Sequence, residues 1–167
     1  MQSSNKTRIL SLVFALPGVH MRQIQRILGF SFSSVRYNVE SHKKNREVLR
    51  WNESGRSRLF PPQISEWEKV VYSHLRNRAS RKVLRVLAQN GKLTNRELSR
   101  ITGFAKSTLS ECIRRLLDAG ILTKSFACEG GIAFQLRDPE RLVPMIRAAD
   151  RSVLEEASDR LIELWDF

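Results

Sequence analysis

Apolar side chains at helical spacing predict a helix over Asn5–Leu16, where Ile9, Leu10, Leu12 and Val13 recur, and another over Ser80–Asn90 carrying Val83, Leu84, Val86 and Leu87. Pro17-Gly18 stops the first and Gly91 the second. A second helix opens near His20 in one place and near Thr94 in the other. Thr94-Asn95-Arg96-Glu97 reads as a capping box, in which the hydroxyl accepts from an orphan amide and Glu97 returns the bond; His20-Met21-Arg22-Gln23 is a weaker form of it. Gly29-Phe30 and Gly103-Phe104 supply a tight turn where glycine tolerates a positive φ. Third helices run from about Ser33 and Ser107. Strands follow: Glu47–Trp51 and Ser57–Phe60 flank the polar turn Asn52-Glu53-Ser54-Gly55-Arg56, and Ile121–Cys128 and Ile132–Leu136 flank Glu129-Gly130-Gly131. Each half reads as three helices and a hairpin.

Shifted by 74 positions, the stretch from about Ile9 to Lys44 falls on Val83 to Asp118 without a gap. Arg22/Arg96, Arg26/Arg100, Ile27/Ile101, Gly29/Gly103, Phe30/Phe104 and Ser33/Ser107 are identical, and Val19/Leu93, Ile24/Leu98, Val35/Leu109 and Val39/Ile113 keep the apolar phase. One fixed offset that preserves both features marks a supersecondary unit used twice. The predicted organisation is a first unit over 1–62, a connecting helix over 63–78, a second unit over 79–137 and a C-terminal helical region over 138–167. In the connection, Ile64, Trp67, Val70, Val71, His74 and Leu75 space as a helix across Gln63–Leu75. In the last region Asp138 caps a helix with Pro139 at its first position, and Pro144 is expected to kink or restart it. Met145, Ile146, Ala149, Val153, Leu154, Ala157, Leu161, Leu164 and Trp165 form an apolar stripe there, opposite an acidic side.

Charge changes the picture next. The chain has 167 residues and a formal net charge of +12. Residues 1–149 carry a net +16 and residues 150–167 a net −4. A strongly basic body is the electrostatic footprint of a nucleic-acid binder. No apolar run reaches the length that crosses a bilayer, and the polar N-terminus lacks a signal-peptide pattern, so a cytoplasmic location without a membrane partner is expected. Two cysteines, Cys112 and Cys128, with three histidines make neither a disulfide scaffold nor a metal site, and no cofactor is implied. There is no phosphate-cradling glycine loop and no nucleophile–base arrangement, so an enzyme is not expected.

Pro17-Gly18-Val19-His20-Met21-Arg22-Gln23-Ile24 followed by Leu28-Gly29-Phe30-Ser31-Phe32-Ser33-Ser34-Val35-Arg36-Tyr37 resembles the winged helix-turn-helix regulators common in archaea. The stretch from Leu93-Thr94-Asn95-Arg96-Glu97-Leu98 through Ser107-Thr108-Leu109-Ser110 to Arg115-Leu116-Leu117-Asp118-Ala119-Gly120-Ile121-Leu122 is similar to the MarR-like and ArsR-like version. The resemblance covers about Asn5–Leu136. It implies a mainly α fold with small β-hairpin wings: two tandem winged helix-turn-helix domains plus a C-terminal amphipathic helix. In regulators of this kind that helix usually dimerises the chain, which here would use Val153, Leu154, Ala157, Leu161, Leu164 and Trp165. The alternative is a helix folded back on its own second domain.

In a helix-turn-helix the third helix enters the major groove. On the first one, Val35, Val39 and His42 are expected to face inward, His42 as a half-exposed ring satisfied by backbone; a protonation switch is the alternative. Ser33, Ser34, Arg36, Tyr37, Lys43, Lys44 and Arg46 then form the candidate nucleic-acid surface, extended by Arg50, Arg56 and Arg58 on the wing. Arg36 and Tyr37 suit base edges or stacking, and the lysines suit phosphate. On the second copy Lys106, Ser107, Ser110, Arg114 and Arg115 are candidates beside two carboxylates, Glu111 and Asp118, which repel phosphate; packing or a protein partner is as good a reading there. Solvated surface is the plain alternative for any single basic residue. The expected function is a sequence-selective double-stranded DNA-binding transcriptional regulator, homodimeric. The competing class is an RNA-, ribosome- or RNA-polymerase-associated factor that uses its winged helices for docking.

Overall fold

The computed structural model describes residues 4–53, 55–126 and 131–150, without the side chains of Glu53 and Arg56. It is mostly helical with small antiparallel sheets and divides between Ser73 and His74 into two compact units. The expected dimerisation residues Val153, Leu154, Ala157, Leu161, Leu164 and Trp165 lie outside the described residues, as does Cys128.

The first unit begins with α1 (Asn5–Ala15), α2 (Met21–Leu28) and α3 (Phe32–Lys44), followed by β1 (Leu49–Glu53) and β2 (Arg56–Phe60). Ile9, Val13, Leu16, Val19, Ile24, Val35, Val39, Val48 and Leu59 form its core. Gly29 stops α2 at φ 67°, a left-handed conformation that a side chain resists. Ser31 opens α3, its hydroxyl accepting from the Ser34 amide at 3.2 Å. The helix thus begins at Phe32, one residue before the expected Ser33, because Ser31 is the serine that caps. β1 and β2 pair antiparallel with Leu49 opposite Phe60 and Glu53 opposite Arg56. An isolated bridge joins Val19 to Leu59 and draws the segment between α1 and α2 onto the hairpin.

Next comes α4 (Glu66–Leu75), inside which the boundary between units falls. It starts after Ser65 and not at Gln63, because the Ser65 hydroxyl and amide both donate to the Glu68 carboxylate, at 2.6 and 2.9 Å.

The second unit holds α5 (Arg78–Asn90), β3 (Leu93–Thr94), α6 (Asn95–Thr102), α7 (Lys106–Asp118), β4 (Leu122–Phe126) and β5 (Ile132–Leu136). The boundaries of α6 and α7 sit 74 positions beyond those of α2 and α3, the offset found in the sequence. The Thr94–Glu97 capping box is formed, with the Glu97 carboxylate accepting from the Thr94 amide at 2.7 Å. β3 pairs with β5, Leu93 opposite Phe134; it occupies the repeat position of the Val19 bridge, lengthened into a strand. A cation–π contact also recurs at the offset: Arg8 lies 5.2 Å from the Phe30 ring and Lys82 5.3 Å from the Phe104 ring. Residues 139–150 are helical, opened by Asp138, whose carboxylate accepts from the Arg141 amide at 3.2 Å. The helix does not restart at Pro144, which removes one amide from a run that continues past it.

Candidate nucleic-acid interface

Val35, Val39 and His42 form the buried stripe of α3. That orientation turns Ser33, Arg36, Tyr37, Lys43 and Lys44 to the outside, with Ser34 half-buried and Tyr37 77% exposed. Among the described residues Arg36, Lys44 and Arg46 enter no ion pair. Lys43 pairs with Glu40 at 3.5 Å, and Glu40 also accepts from Arg50 at 3.1 Å. The last-turn cations Lys43 and Lys44 are also favoured by the negative end of the helix macrodipole; Arg36, earlier in the helix, has no such reason to be there. Ser33 and Ser31 share a hydroxyl–hydroxyl contact of 3.1 Å at the helix start.

His42 is not half-exposed. It is 1% accessible, with Nε2 2.9 Å from the Lys6 carbonyl oxygen and Nδ1 2.8 Å from the Glu47 carboxylate. Each ring nitrogen thus faces an oxygen, one of backbone and one of a carboxylate. The His42 bond to Glu47, joined by one from Asn45, holds the Glu47 carboxyl below the usual carboxylate range. The ring ties the start of α1 to the end of α3.

The turn after α3 contains a residue whose backbone the sequence pattern did not flag. Arg46 sits at φ 58°, and among the described residues it is the one non-glycine with a positive φ. Its amide donates to Lys43 and that of Glu47 to His42, at 3.0 and 2.9 Å. The same pair of bonds closes α7, where Gly120 at φ 68° holds the repeat position of Arg46.

On the first wing, Arg50 is exposed but braced: Nε donates to the Ser57 hydroxyl at 2.6 Å and Nη1 to Glu40. Arg58 is a correction. Expected as a nucleic-acid contact, it is 6% exposed, and Nη1 donates to the Gly18 carbonyl at 3.1 Å. It pins the hairpin to the turn between α1 and α2 and is not offered to a ligand. The Arg56 side chain lies outside what is described.

On α7, Leu109, Cys112, Ile113 and Leu116 are buried and Lys106, Ser107, Ser110, Arg114 and Arg115 are exposed. Arg114 donates to Glu111 through Nε and Nη2, at 3.1 and 2.8 Å, and to Asp118 through Nη1 at 3.1 Å. Arg115 adds a 3.3 Å pair to Glu111. The bond from Arg114 pulls the Glu111 carboxyl down and raises the guanidinium in turn. Such exposed pairs are individually weak, so they do not lock the side chains, but they balance most of the charge on this face. The second wing carries an exposed apolar pair, Phe126 at 83% and its cross-strand partner Ile132 at 54%. Lys92 Nζ donates to the Phe126 carbonyl at 2.7 Å. Cys112 is a buried thiol, pushed up by burial.

Four arginines that the candidate surface omitted share one environment. Arg22 and Arg26 on α2, and Arg96 and Arg100 on α6, are all exposed. The signal that finds them is the internal repeat, since both pairs are identities at the offset. Among the described residues no cluster of three or more His, Cys, Asp or Glu side chains is placed to hold a metal, and no helix is long and apolar enough to cross a membrane.

Comparison with known proteins matches residues 76–123 to the winged helix-turn-helix DNA-binding family. The HTH-type transcriptional regulator FL11 of Pyrococcus horikoshii is 39% identical over 62 residues, 37% of this chain and 36% of that protein. FL11 of Pyrococcus furiosus is 43% identical over 44 residues, 26% of this chain and 29% of that protein. The chain spans about a third of the length of the curated relatives it matches. Among solved structures, ScpB of Mycobacterium tuberculosis aligns over 82% of this chain and 93% of its own at 17% identity and a TM-score of 0.35. This chain therefore carries a winged helix-turn-helix segment of the DNA-binding type, similar to archaeal regulators. The segment falls in the second unit, where the third-helix charges are balanced.

Proposed function

We propose that this protein is a sequence-selective, double-stranded DNA-binding transcriptional regulator built from two tandem winged helix-turn-helix domains. The observation that carries the proposal is the outward face of α3. It offers Arg36, Tyr37 and Lys44, with Arg46 in the turn after it, and none of the three cations enters an ion pair among the described residues; the opposite side of the helix is anchored in the core. The second unit's match to the winged helix-turn-helix DNA-binding family supports the same reading for its repeat. In this proposal α3 enters the major groove, Arg36 and Tyr37 meet base edges, and Lys43, Lys44, Arg46 and Arg50 meet phosphates. The domains are 1–62 and 79–137, joined through 63–78, and the chain dimerises through its 138–167 region. The resemblance to MarR-like and ArsR-like regulators, the cytoplasmic location and a binding rather than catalytic role belong to the same proposal.

Selection of bound duplexes from a random pool by the full-length protein is the test. Enrichment of one motif, bound at least about a thousandfold more tightly than random duplex at physiological salt, is the expected result. Enrichment of nothing overturns sequence selectivity. Light scattering on the free protein reads the dimer, and Leu161→Asp should give a monomer.

A second reading rests on one observation: Phe126 and Ile132 expose an apolar pair where a phosphate-gripping wing would carry cations. It makes the second wing a docking point for a ribosome- or polymerase-type assembly. DNase-resistant co-purification with such an assembly, lost in Phe126→Ser, would favour it over the DNA reading.

A further inference from the structure

We infer that the second unit holds duplex DNA through its phosphates without reading sequence, and that Arg96 and Arg100 on α6 are the grip. The inference rests on the DNA-binding reading above.

Each pair, Arg96/Arg100 and its counterpart Arg22/Arg26, is spaced i,i+4 and so occupies one face of its helix. Like charges at that spacing oppose each other and weaken the helix, so neither pair helps its own fold. Duplicated surfaces drift where nothing restrains them, and outward positions of the third helices have done so. Arg36 stands against Ser110, Tyr37 against Glu111 and Lys44 against Asp118. Both arginine pairs nevertheless stay identical, in helices that differ at most other positions, Gln23/Glu97 and Gln25/Ser99 among them.

No internal partner accounts for this. All four side chains are exposed, and among the described residues none has a carboxylate within 4 Å. Glu97 senses Arg100 at longer range, but its Oε2 already accepts from the Thr94 amide and hydroxyl, at 2.7 and 2.8 Å. Two unpaired guanidiniums on one helix face suit neighbouring oxyanions, which a nucleic-acid backbone presents in series. The helix before the third is the element of this motif that crosses the backbone. On the adjoining α7, Arg114 and Arg115 are tied to Glu111 and Asp118. Arg96 and Arg100 thus place two unshared cations where backbone is met, whereas on α7 Lys106 alone among the described cations has no carboxylate partner. The first unit has both: its own arginine pair and the open face of α3.

The test uses the full-length protein, a fluorescent duplex of the selected motif and one of random sequence, each titrated across a salt series. Arg96→Ala with Arg100→Ala should flatten the slope of log affinity against log salt by about 1.8, the release expected from two phosphate contacts. The ratio of selected to random affinity should stay within about twofold. Arg96→Lys with Arg100→Lys should restore most of the slope, and the thermal melt of the alanine variant should be unmoved or raised. An unchanged slope overturns the grip; a collapsed ratio with the melt unmoved makes the second unit a reader and overturns the division of roles; a lowered melt makes the pair structural. If the wild-type protein binds neither duplex, the DNA-binding reading itself fails, which is a separate result.

Discussion

At the 74-residue offset, α3 and α7 bury Val35 and Leu109, Val39 and Ile113, and His42 and Leu116 at the same places. Their outer sides oppose each other: Arg36 faces Ser110, Tyr37 faces Glu111, Glu40 faces Arg114, and Lys44 faces Asp118. With the turn that follows, residues 32–46 carry a net +3 and residues 106–120 a net +1. The inner halves are bound to one solution because three helices must close over one core. The outer halves touch solvent and are free to take different chemistry. The two units therefore repeat the same helix and core positions while their outer sides differ in charge. A match to a family is carried mostly by buried and turn positions, which explains why it can fall on the unit with the less cationic third helix.

The largest expected effect separates the two third helices directly. Arg36→Ala should cost about 1–3 kcal/mol of affinity for the selected duplex and relax preference at one base step, as loss of a base-edge contact does. Arg114→Ala should change affinity less than about threefold, because it removes a cation that Glu111 and Asp118 already balance. Lys44→Ala should weaken selected and random duplexes alike and shrink the salt slope by about 0.9. Fluorescence anisotropy on both duplexes measures all three. Equal losses for Arg36→Ala and Arg114→Ala would erase the comparison.

A smaller effect tests the inner faces, where His42 stands against Leu116. His42→Leu imports the second unit's residue into the first. The Lys6 carbonyl loses its ring partner at a part-buried site, which should cost about 1 kcal/mol in chemical denaturation of the first unit, the usual worth of one hydrogen bond. Stability should also lose part of its acid dependence. The Glu47 carboxyl is depressed, first by the His42 bond, so it adds stability that is present above its unfolded pKa and vanishes as pH falls through the lower folded value. Wild type should therefore weaken on acidification below about pH 4.5, the ordinary carboxylate value, and His42→Leu should weaken less over that window. Identical acid profiles would mean that the pair does not couple to folding.

Much of the fold was legible in the chain and only part of the site. The offset, the apolar phase and the Thr94–Glu97 box are local signals, and each reappears where the pattern put it. The charge pairing on α7 was legible too, since Glu111, Arg114, Arg115 and Asp118 stand three and four apart. Arg58 was not. Its burial depends on the Gly18 carbonyl, 40 residues away, and on a bridge between Val19 and Leu59 that no short-range pattern announces. His42 failed for the same reason: its partner, the Lys6 carbonyl, lies 36 residues back. The arginines of α2 and α6 are visible as identities in the repeat, but they belong to neither a third helix nor a wing.

Arg46 offers the smallest effect, with opposite signs in the two measurements. A non-glycine in the left-handed region costs about 1 kcal/mol or more, and the repeat keeps glycine at that position in the second unit. Nothing in the turn demands a side chain, since Gly120 closes α7 with the same two backbone bonds. Arg46→Gly should therefore raise the stability of the first unit by about 0.5–1 kcal/mol, read from the denaturation midpoint at constant slope. The same variant should bind both duplexes more weakly and lose about 0.9 from the salt slope, as one phosphate contact would. Arg46→Ala removes the charge but keeps the strain, so it should reproduce the binding loss without the gain in stability. If Arg46→Gly stabilises and binding is untouched, the residue is surface drift and the strained backbone has no bearing on DNA. If both shift as expected, a measurable part of the first unit's stability is given up to hold one cation at the end of α3, which the second unit does not do.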